Sequence, residues 1–307
     1  MNIIEFDGKP ISKPGLYSKV PMAAYHGGRL CVGPSISSSG LRTIFSKSPA
    51  HYYDKSPLNP DRDDSSDESE SFLLGRAAHH LLLGEPRFAS EYAVRPTERP
   101  DGRPWNGNAT WCREWLEERA KEGRAVLTSD QLERIRGMAG SLAKNHLVRQ
   151  GLLNGIIEAT FAWRDHDTGV WLLARPDVVP TESGDFADLK TTVSVAYPDL
   201  VKTLGNYGYY QQGALVGEGF KAVTGEDMAS FSLLFVESRR PYCTARPYRL
   251  KAEDLDLGRR ANHYALRQFV RGLNSGMWVG PDGDADVEGY LELSLRQREI
   301  AEAKLKR

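Results

Sequence analysis

Two aspartates and a lysine are the residues of this chain whose types and spacing could do chemistry. Asp177 follows Pro176 near the end of an apolar run, and Asp188, Leu189 and Lys190 close the next run, eleven residues after Asp177. Successive side chains of a β-strand point to opposite faces, so Asp188 and Lys190 share a face while Leu189 turns to the other. Two carboxylates beside an ammonium suit metal-assisted attack of water on a phosphodiester. A hard cation such as Mg²⁺ takes oxygen ligands and keeps several waters. It acidifies one of those waters, and a lysine can orient that water or stabilise its hydroxide. The same residue types also make ordinary ion pairs on strands, so the neighbouring elements must decide between the two.

Ile157 to Trp163 alternates like a strand, with Glu158 on the face of Thr160 and opposite Phe161 and Trp163. A turn through Asp165, His166, Asp167 and Gly169 returns the chain into Val170 to Val179. This hairpin would bring Glu158 toward Asp177 as a third carboxylate, or leave it facing solvent at a strand end. Leu74 to Leu83 reads as a helix in which Gly75 precedes His79 by one turn. Gly75 would admit a close backbone, and His79 could bind a metal or a phosphate, or sit satisfied in the core. His80 points about 100° away, so only one of the two histidines can enter a site.

Together these residues resemble the PD-(D/E)XK nuclease superfamily, in the branch that holds the nuclease domains of RecB and exodeoxyribonuclease VIII (RecE). The resemblance rests on Gly75 and His79 for the glycine–histidine helix, Glu158 for the upstream acid, Pro176 and Asp177 for the PD, and Asp188, Leu189 and Lys190 for the DXK. The segment Tyr207, Gly208, Tyr209, Tyr210, Gln211 and Gln212 matches a glutamine helix, but Val216 stands where the family has a tyrosine. Tyr209 or Tyr210 could supply the missing ring from the preceding turn. Ile36 to Leu41 and Ser48 to Tyr52 are similar to the opening of phage RecE-type domains, and Phe231 to Glu237 with Pro241 and Tyr242 to the later strand and turn. The matches run in family order from Ile36 to Tyr248.

The resemblance implies a restriction-endonuclease-like α/β fold, a central mixed β-sheet flanked by helices. It implies Asp177, Asp188, Lys190 and Glu158 as catalytic residues. Mg²⁺ or Mn²⁺ would be held by Asp177, Asp188, His79 and the backbone carbonyl of Leu189, with Gln212, Tyr209, Tyr210 and Gly75 supporting the site or touching DNA. It further implies a phage or prophage exonuclease acting 5′ to 3′ on linear double-stranded DNA. Such an enzyme would form a homo-oligomeric ring and pass 3′ single strands to a single-strand annealing protein. A single-strand or flap nuclease of DNA repair, and a non-catalytic DNA-binding protein that keeps the fold, are the alternatives.

The chain has 307 residues, of which 40% are hydrophobic, enough for one nuclease domain. We read a helical and loop extension over 1–70, a catalytic core over 71–275 and a tail over 276–307. The net charge of −1 does not itself advertise a polyanionic partner, although a metal and a local groove can supply the cations. No apolar run approaches the roughly 20 residues of a bilayer span, and the amino terminus lacks a signal peptide's pattern. Three scattered cysteines fit a reducing bacterial cytoplasm and fall short of the four ligands of an iron–sulfur cluster, so none is expected.

Pro60 to Glu70 reads as an acidic loop. Helices are expected over Asn108 to Lys121, with Trp111, Trp115 and Leu116 on one side, over Ser129 to Asn145 and over Ala252 to Leu273. Strands are expected over Phe231 to Val236 and Cys243 to Leu250. Arg296, Arg298, Lys304, Lys306 and Arg307 lie on a closing helix, as a solvated face or a DNA contact.

Overall fold

The hairpin expected upstream of the first aspartate forms the middle of the larger sheet. In the computed structural model, which describes residues 2–63, 70–84, 88–283 and 291–305, Thr160–Arg164 runs antiparallel to Trp171–Ala174, with Phe161 opposite Ala174. The turn closes because Asp165 Oδ1 accepts from the Thr168 N–H at 2.9 Å and its hydroxyl at 2.6 Å. Gly169 then takes a φ of 69°, a region glycine enters at no steric cost.

Gly15–Ser18 pairs with Thr160–Arg164, Ile3–Glu5 extends that edge, and Ser35–Ser37 lies parallel to Trp171–Ala174 on the other. The first 70 residues, expected to be helical and loop, therefore contribute strands to this sheet.

A second, three-stranded sheet carries the DXK residues. Asp185–Thr192 and Ser230–Glu237 are parallel, with Asp188 opposite Leu233 and Lys190 opposite Phe235, and Tyr248–Arg249 completes it antiparallel. Between the two sheets, Ile156–Ile157 pairs with Val178–Val179. The mixed sheet flanked by helices is as expected, but its ladders are interrupted at Glu158, whose φ of 48° leaves the strand region. Glu158 thus sits in a turn rather than alternating with Thr160.

The parallel pair is covered on both faces, as parallel strands require. Phe186, Phe231, Leu233 and Phe235 face one apolar cluster, which includes residues of the helices Ser38–Ser46, Tyr209–Thr224 and Ala252–Ser275. Leu189, Leu234 and Val236 face another, built with the helices Glu70–Leu82 and Ser129–Leu142. The second of those helices starts in a capping box, Thr128 with Gln131, one residue before the expected serine start.

The helices Tyr209–Thr224 and Ala252–Ser275 pack at backbone contact: a Cβ on Gly258 would stand 2.4 Å from the Tyr210 carbonyl oxygen. Between them, Asn262 Nδ2 donates to the Gln211 carbonyl at 2.9 Å, and Gln211 Nε2 donates to Asn262 Oδ1 at 3.2 Å, both buried.

Among the described residues no helix is long and apolar enough to cross a membrane. The helix Leu295–Leu305 is exposed throughout. Most of the acidic stretch, 64–69, and the last two residues, Lys306 and Arg307, lie outside the described residues.

Candidate active site

Alternation along Asp185–Thr192 sets Asp188 and Lys190 on the same face as Phe186, at the open edge of the strand. Asp188 has no exposed surface, and its Oδ2 is paired with Lys190 Nζ, whose side chain is 14% exposed. The Tyr209–Thr224 helix completes the carboxylate's surroundings, with Gln212 Nε2 at 3.2 Å from both oxygens. That helix starts where Gly208, at φ 61°, redirects the chain, so the expected Tyr207 to Gln212 helix is split at Gly208. Val216, one turn beyond Gln212, is buried in the core and offers the site no polar group.

Asp177 reaches the same edge from the bend between Trp171–Ala174 and Val178–Val179. Its N–H donates to Asp188 Oδ1 at 3.3 Å, and its Oδ2 accepts the Leu189 N–H at 2.7 Å. In a strand the N–H and C=O of one residue point to the same edge. The Leu189 carbonyl therefore faces the Asp177 side while its side chain packs in the core. His79 Nδ1 stands 3.4 Å from Asp177 Oδ1. His80 is buried instead, edge-on to Tyr92 with its Nδ1 3.4 Å from Glu91, which settles which histidine enters the site.

Burial works against every charge here, and the partners decide the outcome. For His79, burial lowers the pKa, but the Asp177 carboxylate outweighs it and the net shift is upward. For Asp177, burial raises the pKa, yet His79, Lys190 and the Leu189 N–H together hold it below the ordinary carboxylate range. Asp188 is pushed up by burial and by the Asp177 charge, with Lys190 opposing. Lys190 is lowered by burial but raised overall by Asp188 and Asp177, which keeps it cationic. Two adjacent carboxylates with divergent proton affinities are a feature that working sites share with structural ion-pair networks.

Tyr209 lies with its ring 5.0 Å from the Lys190 ammonium, a cation–π contact. Tyr209 and Tyr210 both pack against the core cluster, and of the two it is Tyr209 whose ring meets the lysine. Glu158 donates its backbone N–H to the Asp177 carbonyl at 3.0 Å, so its main chain, on a turn, braces the aspartate. Gly75 faces Thr191, whose hydroxyl would be 3.4 Å from an added Cβ, an ordinary contact.

Arg42 is a cation that the sequence did not single out. It donates from Nη1 to the Tyr207 carbonyl at 2.7 Å and packs beneath Gly208, near enough to Asp188 and Tyr209 to feel both. The matched opening motif ended one residue before it, at Leu41.

The resemblance implies a divalent metal, and the donor set fits one. Asp177, partly buried, and Asp188, fully buried, are adjacent carboxylates beside one ammonium, an arrangement an added cation would relieve. Their oxygens and the Leu189 carbonyl are hard donors of the kind Mg²⁺ and Mn²⁺ take. Among the described residues no three His, Cys, Asp or Glu side chains gather to hold a metal. His79 braces Asp177 through its ion pair, with Nδ1 3.4 Å from Oδ1. Water and a substrate phosphate would fill the remaining positions.

No curated protein matches the chain significantly. A crystal structure of a "putative exonuclease" from Eubacterium rectale superposes with a TM-score of 0.57 at 13% identity, covering 85% of this chain and 91% of that one. At that identity the likeness is one of fold. A family model described as a PDDEXK-like domain of unknown function matches residues 37–280. That span contains the whole cluster from Arg42 to Gln212, and the chain belongs to this family (DUF3799), within the PD-(D/E)XK nuclease superfamily.

Proposed function

We propose that the protein is a divalent-metal-dependent exodeoxyribonuclease that hydrolyses phosphodiester bonds from the ends of linear double-stranded DNA, 5′ to 3′. The observation that carries this reading is the convergence on Asp188 of Lys190, Gln212 and the Asp177 N–H at the open edge of one strand. When bound, Mg²⁺ or Mn²⁺ would supply a water acidic enough to ionise near neutral pH and neutralise charge building on the phosphorus.

The chain's own residues do the rest. Asp177 and Asp188 hold their oxygens toward one edge, locked by the Leu189 N–H and by Gln212. Lys190, kept protonated by the two aspartates and capped by Tyr209, can orient a water for in-line attack and stabilise the anionic transition state. His79 keeps Asp177 ionised and fixed. The name of the structural neighbour supports action from ends, and the RecE-like motif order supports 5′ to 3′ polarity, a ring-shaped oligomer and delivery of 3′ single strands to an annealing protein.

The test compares duplexes labelled at the 5′ or the 3′ end, and closed circular DNA, with Mg²⁺ and Mn²⁺. Early release of the 5′ label with intact circles is expected. Efficient cutting of closed circles would overturn end dependence, and early loss of the 3′ label would reverse the polarity.

A further inference from the structure

The tryptophans of the Thr110–Lys121 helix are half-buried rather than core residues. Trp111 and Trp115 meet Trp105 edge-on, with ring centroids 5.9 and 5.6 Å apart. Trp105 is carried by a tight loop in which Arg99 N–H donates to the Arg103 carbonyl at 2.8 Å and Trp105 N–H to the Thr97 carbonyl at 2.9 Å. The Arg95 guanidinium lies over the Trp105 ring at 5.2 Å. Arg95, Arg99, Arg103, Trp105 and Asn106 line an open cleft of about 930 Å³, and no carboxylate lines it. That volume is at the upper end of small-ligand pockets.

The cleft is cationic because its arginines are under-neutralised. Arg99 and Arg103 share Asp101, at 3.5 and 3.8 Å, and Arg95 makes no ion pair among the described residues. Arg99 Nε is buried and makes no hydrogen bond, its contact with Asp101 being the 3.5 Å ion pair. The neighbours outside the cleft meet more carboxylate: Arg119 is paired with Glu118 and Glu122, and Arg124 with Glu122, although the Nε of each is likewise buried without a hydrogen bond. Three guanidinium groups with one carboxylate among them, beside a fixed aromatic ring, suit a ligand with both anionic groups and flat faces.

We propose that this cleft binds single-stranded nucleic acid, with phosphates on Arg95, Arg99 and Arg103 and an unpaired base against the Trp105 ring system. Stacking on an aromatic needs a base freed from its duplex partner, whereas phosphate contacts alone would serve either form. The placement suits such a strand. The Tyr92–Val94 strand that leads into Arg95 meets the helix that carries His79 through Tyr92. There Tyr92 meets His80 edge-on at 5.5 Å, and its hydroxyl accepts from Arg76 Nε at 3.2 Å. The identity of the ligand rests on the nuclease reading, since a nuclease of this fold generates or encounters unpaired strands.

The experiment uses the full chain with the Arg95→Gln/Arg99→Gln/Arg103→Gln variant and measures anisotropy of a labelled oligo(dT) in EDTA at several salt concentrations. Binding weaker by at least tenfold is expected, with a salt slope shallower by about 2, since each neutralised phosphate contributes roughly 0.7 on a single strand. Turnover of bis(p-nitrophenyl) phosphate, too small to span both sites, should be unchanged. Unaltered affinity and slope would overturn the proposal, as would a phosphopeptide that displaces the oligonucleotide at lower concentration.

A photocrosslink from 5-iododeoxyuridine oligonucleotide to the unmodified protein needs no variant. Adducts within 95–116 are expected, and adducts confined to other segments would overturn the assignment. Failure of the wild-type protein to turn over any phosphodiester would count against the nuclease reading and leave the binding result to stand on its own.

Discussion

Gln212 Nε2 lies 3.2 Å from both carboxylate oxygens of Asp188. One amide bridging both oxygens fixes the plane of the carboxylate, so the edge open to a metal and substrate is set by a residue that needs to touch neither. Partners of this kind are worth about 10–100-fold in metal affinity or activity. Gln212→Ala should therefore raise the Mg²⁺ or Mn²⁺ concentration giving half-maximal nuclease rate by that factor, with an unchanged circular dichroism spectrum. An unchanged metal titration would show that Asp188 needs no such brace.

Gly75 and Gly258 both lie in helices but should respond oppositely to alanine. At Gly75 an added Cβ meets only the Thr191 hydroxyl at 3.4 Å, and alanine favours helix by about 1 kcal/mol. Gly75→Ala should be neutral or stabilising. At Gly258 the Cβ would strike the Tyr210 backbone oxygen at 2.4 Å, and forcing packed helices apart costs about 1–3 kcal/mol. Urea melts of the two variants would reverse this account if Gly75→Ala were the more damaging.

The thiols offer a check on packing far from the site. Cys31 and Cys112 are buried and Cys243 is exposed. Burial pushes the Cys31 thiol up to about 12, so almost none of the reactive thiolate exists near pH 8. A thiol reagent at pH 8 should modify Cys243 alone in the folded protein and all three cysteines in denaturant. Rapid native modification of Cys31 would contradict the packing of its apolar cluster.

His263 clamps the helix that carries Gln212. Its Nε2 stands 2.7 Å from Glu218 Oε1, and that hydrogen bond lifts the imidazole pKa above its ordinary value against the opposing effect of burial. A raised folded-state pKa means a contribution fully present below the unfolded value of 6.5 and lost as pH rises through the folded value. The stability advantage of wild type over His263→Gln should therefore be larger at pH 6 than at pH 8. It should also shrink with added salt, because the pair is partly exposed. Equal differences at both pH values would remove the clamp.

The Asp185–Thr192 strand was legible because period-two alternation is a local property, and Asp188 and Lys190 lie together for that reason alone. The hairpin was legible through Asp165 and Gly169, turn residues that act on their own neighbours. Glu158 was misplaced because Ile157 to Trp163 alternates smoothly, and nothing local announces a left-handed residue within it. His79 and His80 could be separated only once the sheet fixed the rotation of their helix. Arg42 escaped notice because its partner carbonyl belongs to Tyr207, 165 residues away. The Trp105 loop was invisible for a similar reason, since Trp111 and Trp115 at helical spacing look like core until their neighbour is known.

The most direct measurement is the rate at which purified Asp188→Asn protein degrades end-labelled linear duplex in Mn²⁺, beside wild type at matched folding. The expected result is robust degradation by wild type and a loss of about 10³-fold or more in the variant, the scale of removing a principal transition-state stabiliser. A variant as fast as wild type would contradict the assignment of this strand edge as the place where the phosphodiester is cut.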